Sequence, residues 1–299
     1  DSAEQAAPRL ICSHCPGWQV SRQSPFLSMA QYTSRTAIVT GATGAIGFAI
    51  AKGIASEPRF HVVLVCRDEK KARRAVAALQ RDTQNEAVRY ELADLSLFSE
   101  VRSLASRWRG KLHVLVNNAA IAPRRRTTTA EGLELQFATN VMGYAWMMEA
   151  FHDVLRSSAP SRIINVASYW AGDLDMSDLQ FEHRRYDNDA AYRQSKQANR
   201  MLTVAYAKRF APDGITVNVC HPGDVRSQLS SDLGFGGHQS PDEGARTPVW
   251  LATEPVGAEV TGRYFEGMRE APCRFGANES ATEELYERCQ LDVKAVHKS

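Results

Sequence analysis

The chain has 299 residues, a formal net charge of +2 and an apolar content of 43%, which suits one large α/β domain with a substantial core. The near-neutral balance, without a long Lys/Arg block, gives no electrostatic reason to expect nucleic acid or an anionic membrane as partner. Six cysteines are too few for a disulfide scaffold at this length, and no run reaches the roughly 18 apolar residues that a membrane span needs.

Residues 1–32 stand apart. Pro8, Pro16 and Pro25, several serines and few acids give them no helical period. They read as an N-terminal extension or targeting remnant, leaving 33–299 as a single domain. Cys12 and Cys15 flank His14 at short spacing, but a zinc site needs about four ligands, and no second pair at metal spacing follows. No metal site is expected.

From there strands and helices alternate. Residues 36–40 read as a short buried strand, followed by glycine punctuation and an apolar helical pattern through Ala55. Residues 61–65 (HVVLV) form a second strand and 69–81 a charged amphipathic helix. A third strand at 88–92 leads to a helix over 97–108, with Ser96 as its N-cap. A fourth strand at 112–116 (LHVLV) precedes Arg124-Arg125-Arg126, which reads as a solvated loop, and one long helix over 129–155. Residues 162–167 (RIINVA) form a fifth strand, 190–210 a helix and 215–220 (ITVNVC) a sixth strand. These strands are continuous apolar runs, the pattern of a parallel sheet covered on both faces. Alternating β and α units with short links give a doubly wound parallel sheet, the Rossmann fold. Cys66 and Cys220 fall inside such runs and read as buried core thiols.

The first strand ends in Thr40-Gly41-Ala42-Thr43-Gly44-Ala45-Ile46-Gly47 and opens into a helix. Gly41 permits a tight turn, a second glycine lets backbone approach a pyrophosphate, and Gly47 lets helix and strand pack closely. The helix N-terminus then offers free N–H groups and the positive end of its dipole to phosphates. Strand two ends in Cys66-Arg67. An arginine there pairs with a 2′-phosphate and points to NADP(H). Asp68 is the rival, because an acid near that place bonds the ribose of NAD.

Tyr192 and Lys196 lie at i and i+4 on one helical face. A phenol near pKa 10 exchanges protons poorly at neutral pH. A neighbouring ammonium is expected to lower it, so that Tyr192 gives a proton to a carbonyl oxygen or takes one from an alcohol.

Taken in order, these pieces resemble the short-chain dehydrogenase/reductase family, and within it the retinol-dehydrogenase-like branch. The resemblance runs from Thr40 to about Phe265. It includes the glycine turn, Asp94-Leu95, Asn117-Asn118-Ala119-Ala120, Asn140, Ser168, Tyr192 and Lys196. It continues through His221-Pro222-Gly223-Asp224-Val225 and Val260-Thr261-Gly262-Arg263-Tyr264-Phe265, and the long gap from Ser168 to Tyr192 is similar too. It implies that Asn140, Ser168, Tyr192 and Lys196 form the catalytic set. Ser168 orients the substrate oxygen, and Asn140 kinks its helix and holds a water linking Lys196 to solvent. Lys196 also bonds the nicotinamide ribose. Asp94 sits by the adenine, Asn117 lines the cofactor ribose and the Val225 backbone meets the carboxamide. Gly41, Thr43, Gly44, Ile46, Gly47, Arg67, Leu95, Ala119, Tyr192, Pro222 and Gly223 complete the implied cofactor contacts. Two departures stand out. Ala45 occupies the family's middle glycine, so the spacing is more like that of the extended epimerase branch, and Ala120 replaces a usual glycine.

Residues 226–241 (RSQLSSDLGFGGHQSP) fall where the family has its substrate lid. Leu229, Leu233 and Phe235 there read either as pocket lining or as part of a mobile loop. The expected function is an NADP(H)-dependent oxidoreductase moving a hydride between nicotinamide and a lipophilic carbonyl or alcohol. The alternative is a structural or regulatory subunit of a larger complex, organellar or not, that binds NADP(H) without significant turnover. The expected partners are a small carbonyl or alcohol and either a second copy of the chain, in a homo-oligomer, or a larger complex docked through residues 1–32. The expected setting is soluble and reducing: an organelle matrix (mitochondrion or plastid) or the cytoplasm.

Overall fold

Strand β1 (Arg35–Thr40) lies inside the sheet, third of eight strands, in a computed structural model that describes residues 34–296. The extension with its Cys12/Cys15 pair lies outside the described residues. Helix α1 (Ala45–Ala55) leads to β2 (Phe60–Cys66), α2 (Glu69–Thr83), β3 (Val88–Leu92), α3 (Phe98–Arg107) and β4 (Val114–Asn117). The second half holds β5 (Ser161–Val166), helix α7 (Asn188–Phe210) and β6 (Ile215–His221). With β7 (Tyr264–Glu266) and β8 (Arg269–Ala271), the sheet order is β3-β2-β1-β4-β5-β6-β7-β8, and every pairing is parallel except the last. Order therefore reverses between β1 and β4, the switch point at which ligands bind such sheets.

Adjacent strand residues point to opposite faces, and two cores result. Val39, Leu64 and Val116 face Ile50 and Ile54 of α1 and Leu79 of α2. Leu251 of α9 (Pro241–Thr253) joins this layer. Ile38, Val63, Leu115 and Ile163 face Leu104 of α3, Leu202 and Tyr206 of α7, and Trp146 of α5 (Gly143–Ala150). Cys66 and Cys220 are buried free thiols, as expected.

Three expectations need correction. Ser96 does not cap α3. The N-cap is Leu97, without a side-chain bond, and Ser96 is turned to the Asp94 carboxylate. The amides of Phe98 and Ser99 donate instead to Glu131, at 2.6 and 3.0 Å. The single helix over 129–155 is broken. Residues 127–135 close a small hairpin, with the Thr129 amide on the Leu133 carbonyl and that of Leu135 on Thr127. Glu134 then caps α4 (Leu135–Phe137), a π turn covers Ala138–Met142, and α5 and α6 (His152–Ser157) follow. The third concerns residues 226–241, which are partly structured: α8 (Gln228–Asp232) starts at a Ser227/Ser230 capping box, and Val225 pairs with Gln239.

Among the elements not anticipated are α9, the strands β7 (Tyr264–Glu266) and β8 (Arg269–Ala271), and helix α11 (Glu279–Val296). A short α10 (Val256–Glu259) links α9 to the edge. No helix among the described residues is long and apolar enough to cross a membrane.

Candidate active site

The turn after β1 is shaped by two glycines and one threonine. Gly41 has φ +64, and a Cβ on it would lie 2.8 Å from the Ala119 Cα. A Cβ on Gly47 would lie 2.4 Å from the Gly41 carbonyl oxygen. The Thr40 hydroxyl accepts the amides of Asn118 and Ala119 at 2.8 and 3.1 Å, and the Asn118 side chain returns a bond to the Thr40 carbonyl. These bonds tie the ends of β1 and β4 together. Gly44 differs. It caps α1 from extended backbone, without a side-chain bond, and a Cβ there meets nothing closer than 3.4 Å. The fold does not require glycine at 44. A bare backbone at the helix N-terminus does suit a phosphate, and in this respect the residues fit a dinucleotide. Thr43 is exposed and Ile46 half-buried on the same turn, and Ala45 opens the helix.

At the end of β2 the two rival residues do different things. Asp68 caps α2, accepting the Lys71 amide at 2.9 Å. Arg67 extends into solvent, its side chain 58% exposed, with only a long 3.9 Å approach to Asp94. Asp94 is otherwise held by the amide and hydroxyl of Ser96.

Two expected cofactor residues turn inward. Asn117 is fully buried at the end of β4 and donates to Asn165 at 3.0 Å. Its side chain does not line an open crevice, because strand alternation aims it into the helix layer. Asn118, one residue on, makes the contacts with the turn. Leu95 is likewise a core residue, packed in the α3/α5 cluster.

The catalytic candidates converge at the C-terminal end of β5. Asn140 is fully buried in the π turn, so its helix is interrupted where the resemblance implied a kink. Its side chain bonds both the amide and the carbonyl of Ile121, and donates to the Ser195 hydroxyl at 3.2 Å. Ser168 stands close enough to Tyr192 to favour ionisation of its phenol, and the Ser168 hydroxyl accepts the Trp170 amide at 3.1 Å. Lys196 is 2% exposed and donates to the Val166 carbonyl at 2.9 Å. Its ammonium lies 5.7 Å from the Tyr192 ring centre and 5.3 Å from that of Tyr144.

Tyr192 does not have the lowered pKa expected from its neighbour. Burial pushes the phenol up to about 12, against the opposing pull of the nearby Ser168 hydroxyl. Lys196 is itself desolvated and falls to about 7. Its Nζ serves a carbonyl and two ring faces, not the phenol oxygen. His221, which closes β6, is driven down to about 4 by burial and is neutral at pH 7.

The long connection from Ser168 to Tyr192 is anchored by Asp178, whose carboxylate accepts the amides of Glu182, His183 and Arg184. Over the site, Pro222 and Gly223 are half-buried and Val225 is buried. Val225 bridges Gln239 through the Asp224 carbonyl and the Arg226 amide. Its own amide and carbonyl therefore point the other way. Leu229, Leu233 and Phe235 are half-buried. Phe235 packs on Trp170 with ring centres 4.2 Å apart, and Tyr169 is 48% exposed beside them.

Four residues near the site escaped the sequence reading of function. Tyr144 shares the Val166 carbonyl with Lys196, donating at 3.2 Å. Asn118 holds the turn, and Arg200 with Tyr264 backs Ser168. Tyr144 sits inside an apolar helical run that carried no polar signal. Asn118 and Tyr264 lay in the quoted motifs without an assigned contact.

A glycine turn at the switch point of a parallel sheet, facing a Ser–Tyr–Lys cluster, defines a nicotinamide-dependent oxidoreductase on a Rossmann sheet. Residues 35–234 match the short chain dehydrogenase family, and the chain belongs to it, in the retinol-dehydrogenase-like branch. It is 35% identical to retinol dehydrogenase 13 of Mus musculus over 280 residues, covering 87% of this chain and 84% of that protein. It is 31% identical to polyprenol dehydrogenase of Homo sapiens, covering 79% and 78%. Among solved structures, an uncharacterized protein from Mycobacterium Paratuberculosis superposes with a TM-score of 0.72 at 25% identity, covering 88% of this chain and 94% of that one. Salutaridine reductase from Papaver somniferum, at 24% identity, shares the fold with a TM-score of 0.64, covering 78% and 99%.

Proposed function

We propose that the protein is an NADP(H)-dependent reductase of lipophilic carbonyls, with Tyr192 as general acid. The observation that carries this is the gathering of Ser168, Tyr192 and Lys196 at the end of β5, with Lys196 bonded to the Val166 carbonyl and 5.7 Å from the Tyr192 ring centre. The turn from Gly41 to Gly47 would hold NADPH, with Arg67 serving the 2′-phosphate and the Val225 backbone the carboxamide, and the bound cofactor would supply the hydride. Ser168 donates to the substrate carbonyl oxygen and sets its direction. Tyr192, protonated at neutral pH, delivers the proton to that oxygen as charge develops on it. In the alcohol direction the same residue takes the proton back. Lys196 stays beside the phenol ring, and Asn140 joins the Ile121 backbone to Ser195 on the catalytic helix.

Choice of NADP over NAD rests on the division of labour at 67 and 68: the carboxylate that favours NAD is engaged as a helix cap, while the guanidinium is exposed. A lipophilic substrate is supported by Tyr169, Trp170 and Phe235 at the mouth, with Leu229 and Leu233 beside them. The names of the relatives, retinol and polyprenol dehydrogenases, agree with an apolar alcohol or carbonyl. The subunit alternative rests on residues 1–32, outside the described residues.

The test is a panel of apolar aldehydes and ketones assayed with NADPH and NADH. The unaltered protein is expected to reduce at least one, and Tyr192→Phe to lose about 10²–10⁴ in kcat while still binding NADPH. No turnover on any member, or full activity in Tyr192→Phe, sinks the proposal.

A further inference from the structure

Helix α7 carries Tyr192, Lys196 and Arg200 at four-residue steps, so all three share one stripe. The two cations grip the end of β5 at alternate carbonyls. Lys196 takes that of Val166 at 2.9 Å, and Arg200 takes that of Ser168 at 2.7 Å. Arg200 is only 5% exposed. Its guanidinium lies over the Tyr264 ring, 3.6 Å from the centre, and donates to the Tyr264 hydroxyl, which donates in turn to Glu266. The chain thus buries a cation one turn beyond Lys196, at the cost of desolvating it, and uses it on the backbone of the residue whose hydroxyl meets Tyr192.

We propose that Arg200 is a positioning residue: clamped by Tyr264 of β7, it holds the Ser168 carbonyl and thereby aims the Ser168 hydroxyl at Tyr192 and the substrate oxygen. The inference rests on the roles proposed above for Ser168 and Tyr192. Lys196 secures Val166 and the Cys220 carbonyl holds the Ala167 amide in every such variant, so losing Arg200 loosens only Ser168, whose carbonyl keeps the longer 3.3 Å bond from the Ala171 amide. A misplacement near 1 Å at a reacting group costs about 100-fold.

The experiment is a double-mutant cycle in the full chain, following NADPH-linked reduction of a carbonyl from the panel. Arg200→Met fills much of the same space without charge, a change that buried cations often tolerate in stability. It is expected to lower kcat about 10- to 100-fold, with KM for the carbonyl and Kd for NADPH changed less than about 2-fold and Arg200→Lys recovering part of the loss. In a Ser168→Ala background, Arg200→Met is expected to cost nothing further, because its effect passes through that hydroxyl. A purely structural arginine predicts instead a loss that follows melting temperature and adds in full to Ser168→Ala; that result overturns the inference. Should Arg200→Met fail to fold, Tyr264→Phe removes one support alone and is expected to lower kcat several-fold, and an unchanged kcat counts against the clamp. A normal kcat in Arg200→Met beside an inactive Tyr192→Phe overturns the Arg200 role alone. An active Tyr192→Phe overturns the reading on which it stands.

Discussion

The turn at 41–47 and the strand end at 166–168 sit at the same edge of one sheet, yet they are held in shape by opposite means. The turn is a matter of backbone. Gly41 takes a left-handed conformation, Gly47 lets α1 pass against the Gly41 carbonyl, and one threonine hydroxyl and one asparagine stitch it to β4. The strand end is held by long side chains that reach from α5 and α7 to its carbonyls: Tyr144, Lys196 and Arg200. Shape built from small residues leaves a spacing in the sequence. Shape built from side chains reaching to a strand end leaves none, because the donor and its carbonyl are 22, 30 and 32 positions apart.

Four substitutions press on this contrast. The largest expected effect is on the turn. Gly47→Ala places a methyl group against main chain and costs about 1–3 kcal/mol, with cofactor binding lost. Gly44→Ala, which meets nothing in the protein closer than 3.4 Å, is expected to melt like the unaltered chain and yet bind NADPH more weakly. Calorimetric titration and thermal melts of the pair settle whether position 44 serves the ligand or the fold, and equal melting losses in both would refute the distinction. Next is Arg67→Ala. Removing a charged partner of the 2′-phosphate, a bond of about 1.5–3 kcal/mol, should raise KM for NADPH about 10- to 100-fold and leave KM for NADH unchanged; a parallel rise in both would end the NADP reading. The smallest concerns the catalytic half. His221 is neutral in the fold down to about pH 4, whereas the unfolded chain takes up the proton near 6.5. The stability that depends on a neutral ring is therefore complete above about 6.5 and is lost as pH falls toward 4. Between pH 7 and 5 the loss attributable to His221 is about 1–2 kcal/mol, read from urea midpoints, and His221→Asn should flatten that slope. An unchanged slope in His221→Asn would assign the acid sensitivity elsewhere.

The same contrast explains what the sequence disclosed. Strands buried on both faces read as apolar runs, so the parallel sheet and the glycine turn were legible, as was the Tyr192–Lys196 stripe. The helix over 129–155 was misjudged because nothing local marks a π turn, and because Glu131 and Glu134 act as caps that look like ordinary helical acids. The expected fall in the Tyr192 pKa failed for a related reason. Spacing placed an ammonium near the phenol ring, but burial of both groups, which only the packed structure shows, outweighs their proximity. Arg200 reads in sequence as one more helical arginine. Its depth is a property of the layer packed over it, including Phe275, whose ring lies 5.6 Å from the guanidinium.

Helix α11 has a consequence for the order in which the molecule is made. Leu285 and Cys289 complete the core over α7, and Gln290 bonds Glu149 of α5 and the Tyr206 hydroxyl, while Glu279 and Glu283 pair with Lys208 and Arg209. Every one of these partners leaves the ribosome at least seventy residues earlier. A nascent chain can assemble its sheet and its nucleotide turn, but the outer side of the catalytic helix stays unsealed until synthesis has passed residue 290. Translation thus finishes the cofactor-binding half first and the face behind the chemistry last.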